Sequence, residues 1–233
     1  MTAITAAEIG IILLSLRVAL VSAAVSLPFA FGAAYLLARA DFPGKTLFDV
    51  VVHLPLVLPP VVIGFGLLLL FGRQGVLGAW LADWFGIVFA FRWTGAALAS
   101  AIMGFPLMVR AIRLSLASID RRLETAARTL GAGRLQVLWT VTLPLALPGI
   151  VTGVLLSFAR SLGEFGATIT FVSNIPGQTE TLPLAIYTLT EIPGGEAQAL
   201  RLSLLAVLLS MAALGGSEWL ARRHRRASGA AVL

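Results

Sequence analysis

The residues that could do chemistry are few, and their spacing excludes most of it. There is no cysteine, so no disulfide, thiolate metal site or thiol nucleophile exists. His53 and His224 lie far apart and without metal-ligand spacing, no HExxH pair or G-x-S-x-G elbow is present, and no metal site or catalytic residue is expected. Gly44-Lys45-Thr46 has the tail of a P-loop, but the first glycine would fall on Arg39 and a long apolar stretch stands where a strand is needed. The match is accidental, and the chain has no nucleotide cradle. What remains is a pair of opposite charges, Arg160 and Glu164, four residues apart on one helix face and inside an apolar run. The residues alone fit either a mutually neutralising pair that stabilises a bundle, or a polar path in which Arg160 and the hydroxyls of Ser161, Thr168 and Thr170 meet an anion.

The elements that must position this pair are membrane spans. Of 233 residues 58% are hydrophobic and 12% charged, and the mean hydropathy is +0.95. A soluble domain carries about 25% charged residues, so this much apolar surface belongs in a bilayer. An all-α transmembrane bundle is expected, with five spans near 11–37, 47–71, 93–109, 143–171 and 200–220; a sixth is allowed by the length of the first stretch and by the apolar run 79–91. The first span starts behind Glu8 rather than a basic cluster, so no cleaved signal peptide is expected. The net charge of +6 and a pI near 11.2 are read as arginine-rich cytoplasmic segments, not as a nucleic-acid surface.

Those segments alternate. Arg39 and Lys45 follow the first span; Arg110, Arg113, Arg121, Arg122, Arg128 and Arg134 follow the third; Arg222, Arg223, Arg225 and Arg226 follow the last. Segment 172–199 has Glu180, Glu191 and Glu196 and no basic residue, and 72–92 is mixed. The N-terminus is therefore expected outside and the C-terminus in the cytoplasm. Trp80, Trp84, Phe85, Phe89 and Phe91 read as an interfacial helix at the outer leaflet. Within the second span Pro55, Pro59 and Pro60 predict a kink, and Gly163 and Gly166 beside Glu164 permit a bend or close approach; all five are gate candidates. Arg17 is read as snorkelling from a span end, and His53, four residues after Asp49, as a packing group.

One connection is too long to be a loop. Segment 119–143 has an N-cap at Asp120, an apolar stripe of Leu123, Ala126, Ala127 and Leu130, a stop at Gly131, and a second short helix near 134–141 before Pro144 opens the next span. It is either an amphipathic pair on the membrane surface or a knob that docks into a partner's groove.

Glu124-Thr-Ala126-Ala127-Arg-Thr-Leu-Gly131 followed by Thr142-Leu143-Pro144 resembles the EAA loop of bacterial ABC importer permeases, with Thr125 inserted between the glutamate and the two alanines. The runs His53–Pro60, Phe105–Arg110, Ala159–Thr168 and Asn174–Pro183 resemble the molybdate and related oxyanion branch of that family. The resemblance covers about residues 40 to 220. It implies a type I importer permease fold in one domain, 1–233, with a coupling loop at about 113–143, in which Glu124, Ala126, Ala127, Gly131, Leu143 and Pro144 serve an ATPase. It implies a homodimer, two cytoplasmic ATPase subunits that bind ATP-Mg, a periplasmic oxyanion-binding protein, the inner membrane of a bacterium, and no cofactor in this chain. The cargo implied is a tetrahedral oxyanion, molybdate first, with tungstate or sulfate as alternatives. Residues 222–233 are too few for an appended regulatory domain, and none is expected. A stand-alone secondary transporter or channel is the competing class; it leaves the cytoplasmic projection unexplained.

Overall fold

The computed structural model describes residues 5–229, with side chains described through Ala213 and again at 215 and 216. The tail arginines fall outside the described side chains. Among the described residues, every regular element is helical.

Helix α1, Ala6–Arg39, is 34 residues long. At 1.5 Å per residue it spans about 50 Å, more than the hydrocarbon core, so it tilts or projects. It begins with a capping box: the Thr5 hydroxyl accepts from the Glu8 N–H at 3.3 Å, and the Glu8 carboxylate accepts from the Thr5 N–H at 2.8 Å. Its buried face is a small-residue stripe that includes Ser15, Ala19, Ser22, Ala23, Ser26, Ala30 and Ala33. Small side chains let backbones approach where no hydrophobic drive operates between helices.

The second span is broken rather than kinked. Helices α2, Lys45–Val57, and α3, Pro60–Phe71, meet at 112°. Leu58 is extended, as a residue before proline must be, and Pro59 and Pro60 offer no N–H to continue the ladder. Pro55 stays inside α2 and does not break it. Helix α4, Val76–Phe85, exposes Trp80, Trp84 and Phe85.

The third span, expected over 93–109, runs on to Ser118 as α5, Trp93–Ser118, because Met108, Val109, Ile112 and Leu116 keep a buried helical stripe past Arg110. Helix α6, Arg121–Thr129, follows. The second short helix expected near 134–141 is not separate. Helix α7, Arg134–Val137, passes through a π-turn, Leu138–Thr142, into α8, Leu143–Leu162, as one 29-residue run. In the π-turn the Leu143 N–H bonds the Leu138 carbonyl, and this register accommodates the Pro144 ring inside the run. Gly163 ends α8, and a three-residue break separates it from α9, Gly166–Val172. Helices α10, Leu182–Glu191, and α11, Glu196–Gly229, close the chain.

Helix α5 is the centre of the bundle, packed on α1 and α8. A methyl on Gly104 would lie 2.4 Å from Ser157 Oγ, and one on Gly149 2.2 Å from Ser115 Cβ, so glycine sets the α5–α8 separation. Four helices among the described residues are long and apolar enough to cross a membrane, and the bent α2–α3 pair makes five. Polar contacts fix which ends share a side. The Arg39–Glu124 pair at 3.0 Å and the Asp49–Arg113 pair at 2.8 Å put the end of α1, the start of α2, the end of α5 and α6 together. At the other end Glu8 accepts from Arg201 Nε at 2.9 Å, tying the starts of α1 and α11, and Phe71 meets Phe89 edge-on beside the start of α5. The bent pair therefore runs from one end of the bundle to the other, as a broken span does and a re-entrant loop does not.

Candidate functional site

Helix α6 lies on the surface of the bundle. Asp120 caps it, accepting from the Arg122 N–H at 2.9 Å. Gly131, at φ +91°, ends it in a Schellman turn: the Ala132 N–H bonds Ala127 O at 3.1 Å and the Gly131 N–H bonds Arg128 O at 3.0 Å. None of its residues is buried. Leu123 and Ala126 of the apolar stripe are exposed, Ala127 is half-buried, and the adjoining Leu130 is 89% exposed. Beside them Leu135 and Trp139 also face outward.

What fastens α6 to the spans is Glu124. Its Oε1 accepts from Arg39 Nη2 at 3.0 Å and from the Thr142 hydroxyl at 2.9 Å. Arg121 adds a 3.3 Å bond to Ala38 O. One carboxylate oxygen thus joins α6 to the last residue of α1 and to the π-turn that leads into α8. The Glu124 and Arg39 side chains are only 13% and 8% exposed, so Glu124 turns toward its own bundle while the leucines turn away from it. Leu143 is half-buried behind the π-turn and Pro144 is exposed.

Arg160 and Glu164 do meet, Nη1 to Oε2 at 2.7 Å, though the N–H groups are not aligned on that oxygen for a hydrogen bond. Glu164 is buried, and its other oxygen accepts from the Ala167 N–H at 2.9 Å, so it also caps the short helix α9. Arg160 keeps 30% of its side chain exposed. The three hydroxyls are not gathered round it. Ser161 bonds Ser22 of α1 at 2.8 Å inside the bundle, Thr168 is buried on the carbonyls of Glu164 and Phe165, and Thr170 bonds Gly166 O at 2.8 Å. Two of the gate candidates meet: a methyl on Gly166 would lie 2.8 Å from Pro60 Cβ, and beside them one on Gly64 would lie 2.6 Å from Ala167 O, so the break in the second span rests on the break in the fourth. Gly163 has open space around it and Pro55 lies away in α2. Among the described residues no cluster of three or more histidine or carboxylate side chains gathers as a metal would need.

Residues 26–226 match the family of binding-protein-dependent transport system inner membrane components. The chain belongs to that family. It is 61% identical over 218 residues to the molybdenum transport system permease protein ModB of Escherichia coli K12, covering 94% of this chain and 95% of that one. The ModB of Haemophilus influenzae is 57% identical, covering 95% and 97%. The sulfate transport system permease protein CysW of Synechocystis is 39% identical, covering 84% and 71%. In architecture the chain resembles a bacterial ABC transporter involved in the import of the polysaccharide alginate, with a TM-score of 0.73 at 18% identity over 94% of this chain and 80% of that one.

Three features of this permease escape a reading of its sequence. Arg39 counts there only as loop charge, yet it is the partner of Glu124. Arg17 reads only as a snorkelling charge, yet its guanidinium lies 3.9 Å above the ring of Trp93, the first residue of α5. Arg110 and Arg113 read as loop residues but belong to α5. The run 108–116 carries the signal for the last of these, since its apolar positions keep helical spacing on both sides of the arginines.

Proposed function

We propose that this chain is the membrane-spanning subunit of an ATP-driven importer for a tetrahedral oxyanion, and that the oxyanion is molybdate. The observation that carries the cargo is the 61% identity to a molybdenum permease along nearly the whole of both chains, against 39% to a sulfate permease. The chain itself is a permease, not an enzyme, and takes no cofactor of its own; ATP-Mg belongs to a separate subunit.

Two copies would form the path between them, in the inner membrane of a bacterium, with the end that carries Arg39, Arg121 and Arg122 in the cytoplasm. Two ATPase subunits would receive Leu123, Leu130 and Leu135, which are exposed together at that end. A periplasmic protein would deliver the anion at the opposite end, beside the acidic segment 172–199. The exposed aromatic face of α4 then lies at the outer leaflet. Movement of an ATPase pushes α6; Glu124 carries the push to α1 and, through the π-turn, to α8. At the far end of α8 the α3–α9 contact at Gly64 and Gly166 is where tilting would open or close the path. Packed interfaces of this kind move between discrete arrangements. Arg160 offers the passing anion a guanidinium already paired with Glu164, so the attraction is weak enough for release.

The test is molybdate uptake by cells lacking the chain and by cells with it restored, with sulfate in excess. Restored uptake that sulfate does not reduce is expected. Uptake that survives the deletion, or that sulfate abolishes, removes molybdate as the cargo.

A further inference from the structure

Arg110 is an exposed cation with no partner among the described residues, inside a spanning helix. Helix α5 buries Met108, Val109, Ile112 and Leu116 against the bundle, and its opposite face carries Arg110, Arg113 and Leu114, three and four residues apart. Arg113 is held by Asp49 at 2.8 Å, and Asp49 in turn has His53 Nδ1 at 3.0 Å. Arg110 makes no ion pair or hydrogen bond with any described residue and is exposed. Eight residues, or about 12 Å, separate it from the end of α5 at Ser118. Arg110 lies one turn from the Asp49–Arg113 pair that marks this end of the bundle, and an unpaired guanidinium there is held most cheaply where its face meets water or a polar ligand.

A cavity lies there. Thr46, Asp49, His53, Arg110 and Arg113 are the polar residues around an open space of about 500 Å³ between α2 and α5. Arg110 also borders a second cavity, of about 420 Å³, between α5 and Pro148, Gly149 and Thr152 of α8. With two arginines against one aspartate, the first cavity holds one arginine in excess of its carboxylate. Its free charge is a planar guanidinium, whose fork matches two oxygens of a tetrahedral oxyanion.

We propose that this cavity is an exit site, where a tetrahedral dianion pauses on Arg110 at the inner end of the path before release. The inference rests on the oxyanion-importer reading above. The Arg113–Asp49 pair limits the site to a single uncompensated charge, so a dianion is attracted but not trapped, as conduction through successive sites requires. Thr46 and His53 supply a hydroxyl and a ring nitrogen on the α2 side. The same chemistry would take the phosphate of an anionic lipid, and the test separates the two sources.

The complete transporter is placed in nanodiscs of neutral phosphatidylcholine and treated with phenylglyoxal, which modifies accessible guanidinium groups, and labelling of Arg110 is followed by mass spectrometry. Sodium molybdate or sulfate, at ten times the concentration that half-protects, should slow labelling about tenfold by simple occupancy, whereas sodium chloride at equal ionic strength should not. In the Asp49→Asn variant the half-protecting concentration should fall. Arg110 that resists labelling without any anion, that labels equally with and without molybdate, or that is protected as well by phosphatidylglycerol discs alone overturns the exit site. If wild-type uptake of molybdate persists while protection is absent, only the exit site is lost; if uptake itself is absent, the importer reading fails first.

Discussion

Replacing Glu124 with alanine should free α6 from the spans without unfolding them. The side chain holds two partners through one oxygen, Arg39 Nη2 at 3.0 Å and the Thr142 hydroxyl at 2.9 Å. Removing one member of a buried ion pair costs about 3–5 kcal/mol, and the small residual exposure of both side chains puts this pair at the lower end, about 3 kcal/mol. Because α6 has no buried residue, little else offsets that loss, and the docking equilibrium constant of α6 should fall by about two orders of magnitude. Glu124→Gln keeps the neutral acceptor and loses only the charge assistance, so about half the free energy and about tenfold of the equilibrium should go. Hydrogen exchange of peptides covering 121–130 in the complete transporter reads this directly. Exchange there should rise in the order wild type, Gln, Ala, while peptides from α5 and α8 stay protected. The number of molybdate ions imported per ATP should fall in the same order. Unchanged exchange over 121–130 in Glu124→Ala would refute the reasoning, whatever happened to uptake.

Other consequences follow from single contacts. Leu130→Glu places a charge on the leucine that stands 89% exposed beside α6 and, if that face is where an ATPase docks, should abolish co-purification of the ATPase subunits while the permease keeps its thermal midpoint. Gly64→Val drives a side chain into Ala167 O, which even a methyl would approach to 2.6 Å; about 1–3 kcal/mol of overpacking should lower the melting temperature in detergent by several degrees and slow uptake. Arg160→Lys keeps a cation beside the buried Glu164 and should leave the melting temperature almost unchanged, while loss of the guanidinium fork should reduce molybdate uptake several-fold. A melting temperature that falls in step with uptake would make Arg160 a structural residue only.

The helical bundle is legible in the sequence because bilayer thickness imposes long apolar runs, and the arginine-rich segments mark one side. The capping residues of α6 are legible for the same local reason: Asp120 and Gly131 act on backbone within a few residues of themselves. What is not legible is non-local. Pro59 and Pro60 announce a disturbance, but the 112° break depends on Gly64 and Gly166 allowing α3 to rest on α9, over a hundred residues away in the chain. Pro144 looks like a helix start, and only the π-turn before it lets the helix run through. Glu124 stands one residue off the family pattern, yet it is the residue that meets Arg39 across 85 positions of sequence. The hydroxyls near Arg160 show the converse. Their closeness in sequence gathers no site, because Ser161 and Thr168 face the bundle and spend their hydrogen bonds there.

Molybdate is expected to move only when separate ATPase subunits push α6. Proteoliposomes holding this chain and its ATPase subunits, supplied with the binding protein and radioactive molybdate, test it most directly. Uptake should require ATP on the α6 side and should vanish in Leu130→Glu. Uptake driven by an ion gradient with the ATPase subunits left out would contradict the account.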